Sequence, residues 1–131
     1  MEYLLTWEQK RGYLHFRIVG NNTAENVRRW VTEGLELCKT HKCHKVLVEE
    51  NLTGPSLGVG ETFWIIDEGC RKACDIITDM AYIDANPTHQ KDMLEFSETV
   101  ARNRAINMRV FSKVDDAVIW LMGDRRDNGC Q

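Results

Sequence analysis

The sequence predicts a single-domain α/β fold in which helices pack on a mixed β-sheet. Short apolar runs alternate with longer amphipathic segments along the chain, and their order is β-β-α-β-α-β-α-β-α. The 131 residues are enough for one domain with its own core. With 43% apolar residues, 28% charged residues and only two prolines, the composition is that of a globular protein and excludes a disordered chain.

The first two apolar runs, residues 3–9 and 13–19, predict a β-hairpin at the antiparallel edge of the sheet. Leu14, Phe16 and Ile18 alternate with polar residues, which is typical of a strand with one buried face. Between the runs lies a glycine, Gly12, which can adopt the positive φ that a tight turn needs.

A helix and a buried strand are predicted next. The helix runs from about Ala24 to Thr40, and Thr23 is a suitable N-cap because its hydroxyl can accept a hydrogen bond from an unpaired amide. The strand runs from Lys45 to Glu49, because its apolar centre has no helical period. The inner face of the helix is marked by apolar residues at three- and four-residue spacing: Val27, Trp30, Val31, Gly34, Leu35 and Cys38.

The middle of the chain repeats this alternation. A turn-rich segment, residues 51–60, precedes a second helix predicted over residues 61–74. A strand is predicted over residues 80–85. We expect the third helix to start directly after it, with Asn86 as the cap and Pro87 at the first helical position.

The carboxy-terminal part predicts a last strand and a last helix. The strand covers residues 108–112, and Ser112 or Asp115 is expected to cap the helix. We expect the domain to span residues 1–122 and to be followed by a polar tail, residues 123–131.

Charge and hydropathy exclude several classes of protein. A net charge of −3 argues against a nucleic-acid binder. No apolar run approaches the roughly 18–20 residues of a membrane span, and the amino terminus lacks the apolar stretch of a signal peptide. We therefore expect a cytoplasmic protein that does not contact a membrane. In that compartment the odd number of cysteines predicts buried thiols rather than disulfides, at Cys38, Cys43, Cys70, Cys74 and Cys130.

The carboxy-terminal third carries the most specific pattern. Residues 96–112 read FSETVARNRAINMRVFS, and residues 115–121 read DDAVIWL. Together with the element order, these segments resemble the STAS domain, named for sulfate transporters and anti-sigma-factor antagonists, in the bacterial branch described as SpoIIAA-like. The resemblance covers nearly the whole chain and implies a mixed sheet with helices packed on it. It also implies regulation by binding to other proteins rather than by catalysis.

The resemblance implies one candidate regulatory loop. In well-known members a serine between the third strand and the second helix is phosphorylated by a partner kinase that doubles as an anti-sigma factor. Here residues 50–59 read ENLTGPSLGV, so the end of the family pattern is present but its Asp-Ser pair is missing. Ser56 and Thr53 are the candidate phospho-acceptors, since amides at a helix start attract anions. The alternative is that Ser56 only caps the second helix.

The same loop is the candidate surface for a partner, together with the start of the second helix. Phe63 and Trp64 are adjacent, and neighbouring residues lie about 100° apart around a helix, so we expect one of them to be exposed. An exposed tryptophan is a typical interface anchor. We expect protein–protein contact, including a homodimer, through residues of this loop and helix: Gly54, Ser56, Gly58, Gly60 and Trp64.

Other chemistry has weaker support in the sequence. The one metal-like cluster is Cys38, His41, Cys43 and His44, whose spacing resembles no known zinc site, so we expect no metal and no cofactor. Cys70 and Cys74, four apart on the second helix, are expected to be small core residues rather than a redox pair.

A catalytic set is not apparent either. Ser56, His89 and Asp84 could form one, but no spacing links them, and Glu49 and Glu50 are expected to face water at the sheet edge. We therefore predict a protein that is not an enzyme. Two alternatives stay open. An apolar cleft beside the loop would favour a domain that binds a small molecule (an anion, a nucleotide or a lipid), and a serine or cysteine bonded to His89 or His44 would favour a hydrolase.

Overall fold

The computed structural model describes residues 3–89 and 91–123, and over these residues the chain forms five strands and four helices. In chain order they are β1 (Tyr3–Lys10), β2 (Tyr13–Asn21), α1 (Ala24–His41), β3 (Lys45–Thr53), α2 (Val59–Ala73), β4 (Asp79–Asp84), α3 (Lys91–Arg102), β5 (Asn107–Val110) and α4 (Val114–Leu121).

The strands form one mixed sheet in the order β1-β2-β3-β4-β5. The first pair is antiparallel and the other three pairs are parallel. Gly12 has a φ of 97° in the turn of the hairpin, as its position predicts. A Cβ atom at this position would meet only the flexible thioether end of Met122, at 3.0 Å, so it is the backbone that requires glycine there.

Helices cover both faces of the sheet, but unequally. The larger core lies between one face and the helices α1, α2 and α3, and it includes Val46 and Val48 of β3. The smaller core lies on the other face beneath α4 and includes Leu47, because successive side chains of a strand point to opposite faces. None of the helices in the described part of the chain is both long enough and apolar enough to cross a membrane.

The predicted element order is confirmed throughout, and so is the cap of the first helix. The Thr23 hydroxyl accepts a hydrogen bond from the Asn26 amide at 3.1 Å. The third strand is longer than predicted and reaches Thr53. The extension carries Glu50 and Leu52 into the protein interior, where both side chains are buried.

The predicted N-caps of three helices are wrong. The third helix begins at Lys91, because the Asn86 side chain is used in a turn: it accepts from the Thr88 amide at 2.9 Å and donates to the Leu52 carbonyl at 2.7 Å. The second helix begins at Val59 with Gly58 as its cap, so Ser56 is not the N-cap.

The last helix also departs from its predicted cap. Its N-cap is Lys113, which makes no side-chain capping bond, while Asp115 lies in the first turn. Neither Ser112 nor Asp115 therefore caps it. The acidic first turn still faces the positive end of the helix dipole, which stabilises the start without a cap.

The cysteines differ in their surroundings. Cys38 and Cys70 are buried free thiols, as expected. The prediction for Cys43 is wrong, because this buried residue is disulfide-bonded rather than a free thiol. The prediction for Cys74 is wrong, because this residue is the C-cap at the end of α2 and is exposed. Cys130 and most of the predicted tail lie outside the described residues.

Candidate functional site

A cavity of about 190 Å³ lies between the sheet and the helices α1, α2 and α3. Its walls are mainly apolar because the strands present alternate apolar side chains to this face and the helices present their inner stripes. Representative wall residues are Val31, Val48, Ile65, Met80, Met93 and Met108.

Two carboxyl groups line the same cavity near the carboxyl ends of β3 and β4. Glu50 and Asp84 are neighbours in the parallel register of these strands. Glu50 continues the alternation of Val46 and Val48, so it points to the same face. Ligands of open α/β sheets bind outside the carboxyl ends of the strands, which makes this end of the cavity the candidate site.

Glu50 is held by two neutral donors. Its side chain accepts a hydrogen bond from the Trp30 indole, 2.9 Å from Nε1 to Oε2, and another from the Tyr82 hydroxyl to Oε1. Glu50 is only 5% exposed. Burial raises the pKa of Glu50 from 4.5 to about 7, although the bonds from Tyr82 and Trp30 act in the opposite direction. The group therefore changes charge near neutral pH.

Tyr82 keeps its proton at any physiological pH. Burial, together with the nearby charges of Glu50 and Asp84, raises the pKa of its hydroxyl well above 10. The hydroxyl is therefore a permanent donor to Glu50.

Asp84 and His89 form a buried, hydrogen-bonded pair beside Glu50. Their side chains are each 5% exposed, and Oδ2 of Asp84 lies 2.6 Å from Nδ1 of His89. The other ring nitrogen lies 2.9 Å from the Gly54 carbonyl oxygen. A ring that donates from both nitrogens is an imidazolium. Burial lowers the pKa of His89, but the bonds to Asp84 and Gly54 outweigh this effect and the pKa is raised.

Three hydrogen bonds anchor the loop that follows β3. His89 bonds to the Gly54 carbonyl, as described, and the Asn22 amide donates to the Pro55 carbonyl at 2.8 Å. The Thr53 hydroxyl donates to the Gly20 carbonyl at 3.2 Å. The loop is thereby held to β2 and to the turn after β4, and two of its residues, Ser56 and Leu57, line the cavity.

The residues predicted for a partner surface lie around this loop. Thr53, Gly54, Gly58 and Gly60 are exposed, and Ser56 is half-buried. Trp64 is 60% exposed on α2.

Phe63, the neighbour of Trp64, is half-buried, so one of the two rings is exposed, as their spacing predicts. The two rings meet edge to face at 5.7 Å. The Arg104 guanidinium, from the turn after the third helix, lies 5.2 Å from the centre of the Phe63 ring and covers it. Trp64 is thus the aromatic side chain that this helix presents outward.

The three residues considered for catalysis line one cavity, although no sequence spacing links them: Ser56, Asp84 and His89. Both ring nitrogens of His89 are used by Asp84 and by the Gly54 carbonyl. With both nitrogens donating in this way, the ring has no acceptor position left for a proton from Ser56.

The residues considered for a metal have separate roles. Burial raises the pKa of the Cys38 thiol to about 12, His41 packs against the ring of Trp7 at 4.8 Å, and Nδ1 of His44 lies 2.7 Å from the Ile76 carbonyl oxygen. Within residues 3–89 and 91–123, no group of three or more histidine, cysteine or acidic residues could hold a metal ion.

Sequence reasoning missed the centre of this site. The expectation that Glu50 faces water is wrong, because β3 continues past Glu49 and turns Glu50 inward. Glu49 points to the opposite face, where it lies 2.6 Å from His15. The available signal was the alternation of Val46, Val48 and Glu50, which places a carboxyl group on a buried face.

Comparison with known proteins supports the fold. No protein-family model and no curated protein matches the chain. Among solved structures, the chain is similar to an uncharacterised protein of the DUF3478 family from Shewanella loihica, whose fold is described as SpoIIAA-like. The two share 19% sequence identity and superpose with a TM-score of 0.57 over 92% of this chain and 94% of the other. The chain therefore has the SpoIIAA-like α/β fold that its resemblance to STAS domains implied.

Proposed function

We propose that the protein is a non-catalytic binding domain whose cavity takes a small, mostly apolar molecule. The observation that carries this proposal is the cavity itself, which combines apolar walls with a few convergent polar groups at one end. This combination is typical of ligand pockets. The volume of about 190 Å³ exceeds the ~150 Å³ of an apolar cavity that binds benzene.

The surroundings of the loop favour ligand binding over hydrolysis. An apolar cleft beside Ser56 was the feature expected of a small-molecule binder, and Ser56 and Leu57 line this cavity. The engaged nitrogens of His89 argue against the hydrolase. A SpoIIAA-like fold is also consistent with a regulatory or interaction domain, so a bound ligand could control an interaction of the same domain.

The test is binding of toluene, followed by amide chemical shifts in a two-dimensional NMR spectrum. The variant Ala101→Leu adds three carbons to a cavity wall, and Thr99→Leu places the same side chain on the exposed side of the same helix. We expect toluene to shift cavity residues of the wild type and of Thr99→Leu, and to bind Ala101→Leu at least about tenfold more weakly. Absence of binding to the wild type, or equal binding to all three proteins, would show that the cavity is not the site.

A second candidate function is protein contact through the loop Thr53–Gly60 and the start of α2. The specific observation is that Trp64 and Val59, both in the first two turns of this helix, are 60% and 59% exposed. We propose a second copy of this chain as the partner, as the sequence suggested. Light scattering tests it: the wild type should form a dimer that Trp64→Ala weakens. A wild type that stays monomeric at high concentration contradicts it.

Phosphorylation of Ser56 or Thr53 would act on this same surface. The start of α2 has no side-chain cap, so its amides are available to a phosphate group placed in the preceding loop. The variant Ser56→Asp adds negative charge at this position and should weaken the dimer without unfolding the domain. The matched control is Ser112→Asp, which adds the same charge at an exposed serine before α4 and should leave the dimer intact. Equal dimerisation of Ser56→Asp and the wild type would argue against a phospho-switch at this residue.

A further inference from the structure

We infer that the cavity selects an apolar amine, bound as its ammonium ion against Glu50, and discriminates against carboxylates and phosphates; this rests on the ligand-binding function proposed above. The chemical class follows from the charges in the cavity wall. The charged groups of the wall are Glu50, Asp84 and His89, and no lysine or arginine is among the described residues that line it.

Asp84 and His89 neutralise one another. The carboxylate and the imidazolium lie 2.6 Å apart, and the second N–H of the ring is used by the Gly54 carbonyl. His89 is the one positively charged group in the described part of the wall, and both its donors are occupied. It therefore cannot bind the head group of an anion without giving up one of these bonds.

Among the described residues of the wall, Glu50 is the charged group that forms no ion pair. Its described partners are the Trp30 indole and the Tyr82 hydroxyl, which are both neutral donors. When Glu50 is ionised the wall carries a net negative charge in surroundings of low polarity. A second anion there would be repelled and would lose its hydration, whereas an ammonium group would supply the missing positive charge.

The geometry of Glu50 leaves acceptor positions for such a group. Each carboxylate oxygen has two lone pairs, and each accepts one described hydrogen bond, Oε2 from Trp30 and Oε1 from Tyr82. The remaining lone pair on each oxygen can accept an N–H of the ligand. The indole of Trp30 also lines the cavity, and an aromatic ring of this kind attracts a cation placed over its face.

The volume limits the apolar part of the ligand. A cavity of about 190 Å³ accommodates a group somewhat larger than benzene, such as a six-carbon chain. The apolar walls favour this chain, while the carboxyl end favours the amine. Hexylamine, hexanol and hexanoate share the chain and differ only in the head group, so they form a matched set of probes.

The experiment is calorimetric titration of the wild type with the three probes at pH 8. We expect hexylamine to bind at least about tenfold more tightly than hexanol, and hexanoate to bind more weakly than hexanol. Binding of hexanol without any preference for hexylamine would overturn this inference and leave the proposed function standing. If none of the three binds, the proposed function itself is wrong.

The pH dependence provides a second readout that needs no variant. The groups facing Glu50 are Trp30 from α1, Tyr82 and Asp84 from β4, and His89 from the turn that follows. Because the amine binds the ionised form of Glu50, its affinity should fall by about 30-fold between pH 8 and pH 5.5, at roughly tenfold per pH unit below the pKa. Hexanol affinity should change much less. Equal pH profiles for the two probes would contradict the inference.

Two variants test whether the preference for hexylamine comes from Glu50. Glu50→Gln keeps the shape of the side chain and removes its charge, so it should abolish the preference for hexylamine and retain hexanol binding. Glu49→Gln changes the neighbouring carboxyl on the opposite face of β3 and should bind all three probes as the wild type does. A preference for hexylamine that survives in a folded Glu50→Gln protein would show that the selectivity has another origin.

Discussion

The buried carboxyl of Glu50 should make the stability of the protein depend on pH in a way that Glu50→Gln removes. The pKa of Glu50 is about 7 in the folded protein and 4.5 in the ordinary, exposed state. The folded chain thus holds this proton more tightly than the unfolded chain does. As the pH rises from 4.5 to 7, the unfolded chain loses the proton first, and the folded state loses stability.

The size of the effect follows from the difference between the two pKa values. Each unit corresponds to about 1.4 kcal/mol, so ionising the buried carboxyl should cost the folded wild type about 3 kcal/mol between pH 4.5 and pH 8. The bonds from Trp30 and Tyr82 are already included in the folded pKa, because both stabilise the charged form. A glutamine at this position can still accept the bond from Trp30 and does not titrate.

Urea unfolding of the wild type and of Glu50→Gln at pH 4.5 and pH 8 measures the free-energy cost of ionising Glu50. The difference in free energy of unfolding between the two proteins should change by about 3 kcal/mol in favour of the variant as the pH rises. The contributions of the titrating groups that both proteins share cancel in this difference. Glu36→Gln, which changes an exposed carboxyl on α1, should show no such change. A difference between wild type and Glu50→Gln that is the same at both pH values would refute the burial of an ionisable Glu50.

Three further outcomes follow from single contacts. His89→Ala should release the Gly54 carbonyl and speed amide hydrogen exchange in the loop after β3. Because the pKa of His89 is raised, the wild-type loop should be protected from exchange below pH 6.5. This protection should be lost as the pH rises through the pKa of His89 in the folded protein. Gly12→Ala should lower the free energy of unfolding by at least about 1 kcal/mol, seen as a lower melting temperature, because φ is 97° and an alanine is strained in this conformation. Trp64→Ala should change the unfolding free energy of the monomer by less than about 0.5 kcal/mol, since the side chain is exposed, so any loss of dimer cannot be attributed to unfolding.

Local sequence patterns were enough to predict the type and order of the secondary-structure elements. The period of the apolar residues distinguishes strands from helices, and it predicts the order of all nine elements described between Tyr3 and Gly123. Local chemistry was enough for the cap at Thr23 and the turn at Gly12, because both depend on atoms within a few residues. The adjacency of Phe63 and Trp64 likewise required that one ring be exposed.

The hydrogen-bond partners at the site depend on contacts between distant segments of the chain. Asn86 looks like a helix cap locally, but its amide bonds to the Leu52 carbonyl, 34 residues earlier in the chain, and the third helix starts later as a result. Glu50 and His89 reach Tyr82 and Gly54 in the same way, through strand register and loop closure.

The cavity has the same long-range origin. It exists because three helices pack on one sheet face without filling it, and this mismatch of shapes is not encoded in any local pattern. Periodicity reports which residues are buried, whereas the polar partners of a buried group depend on contacts between distant segments. Burial of Glu50 beside Asp84 therefore became visible only once β3 and β4 were aligned in register.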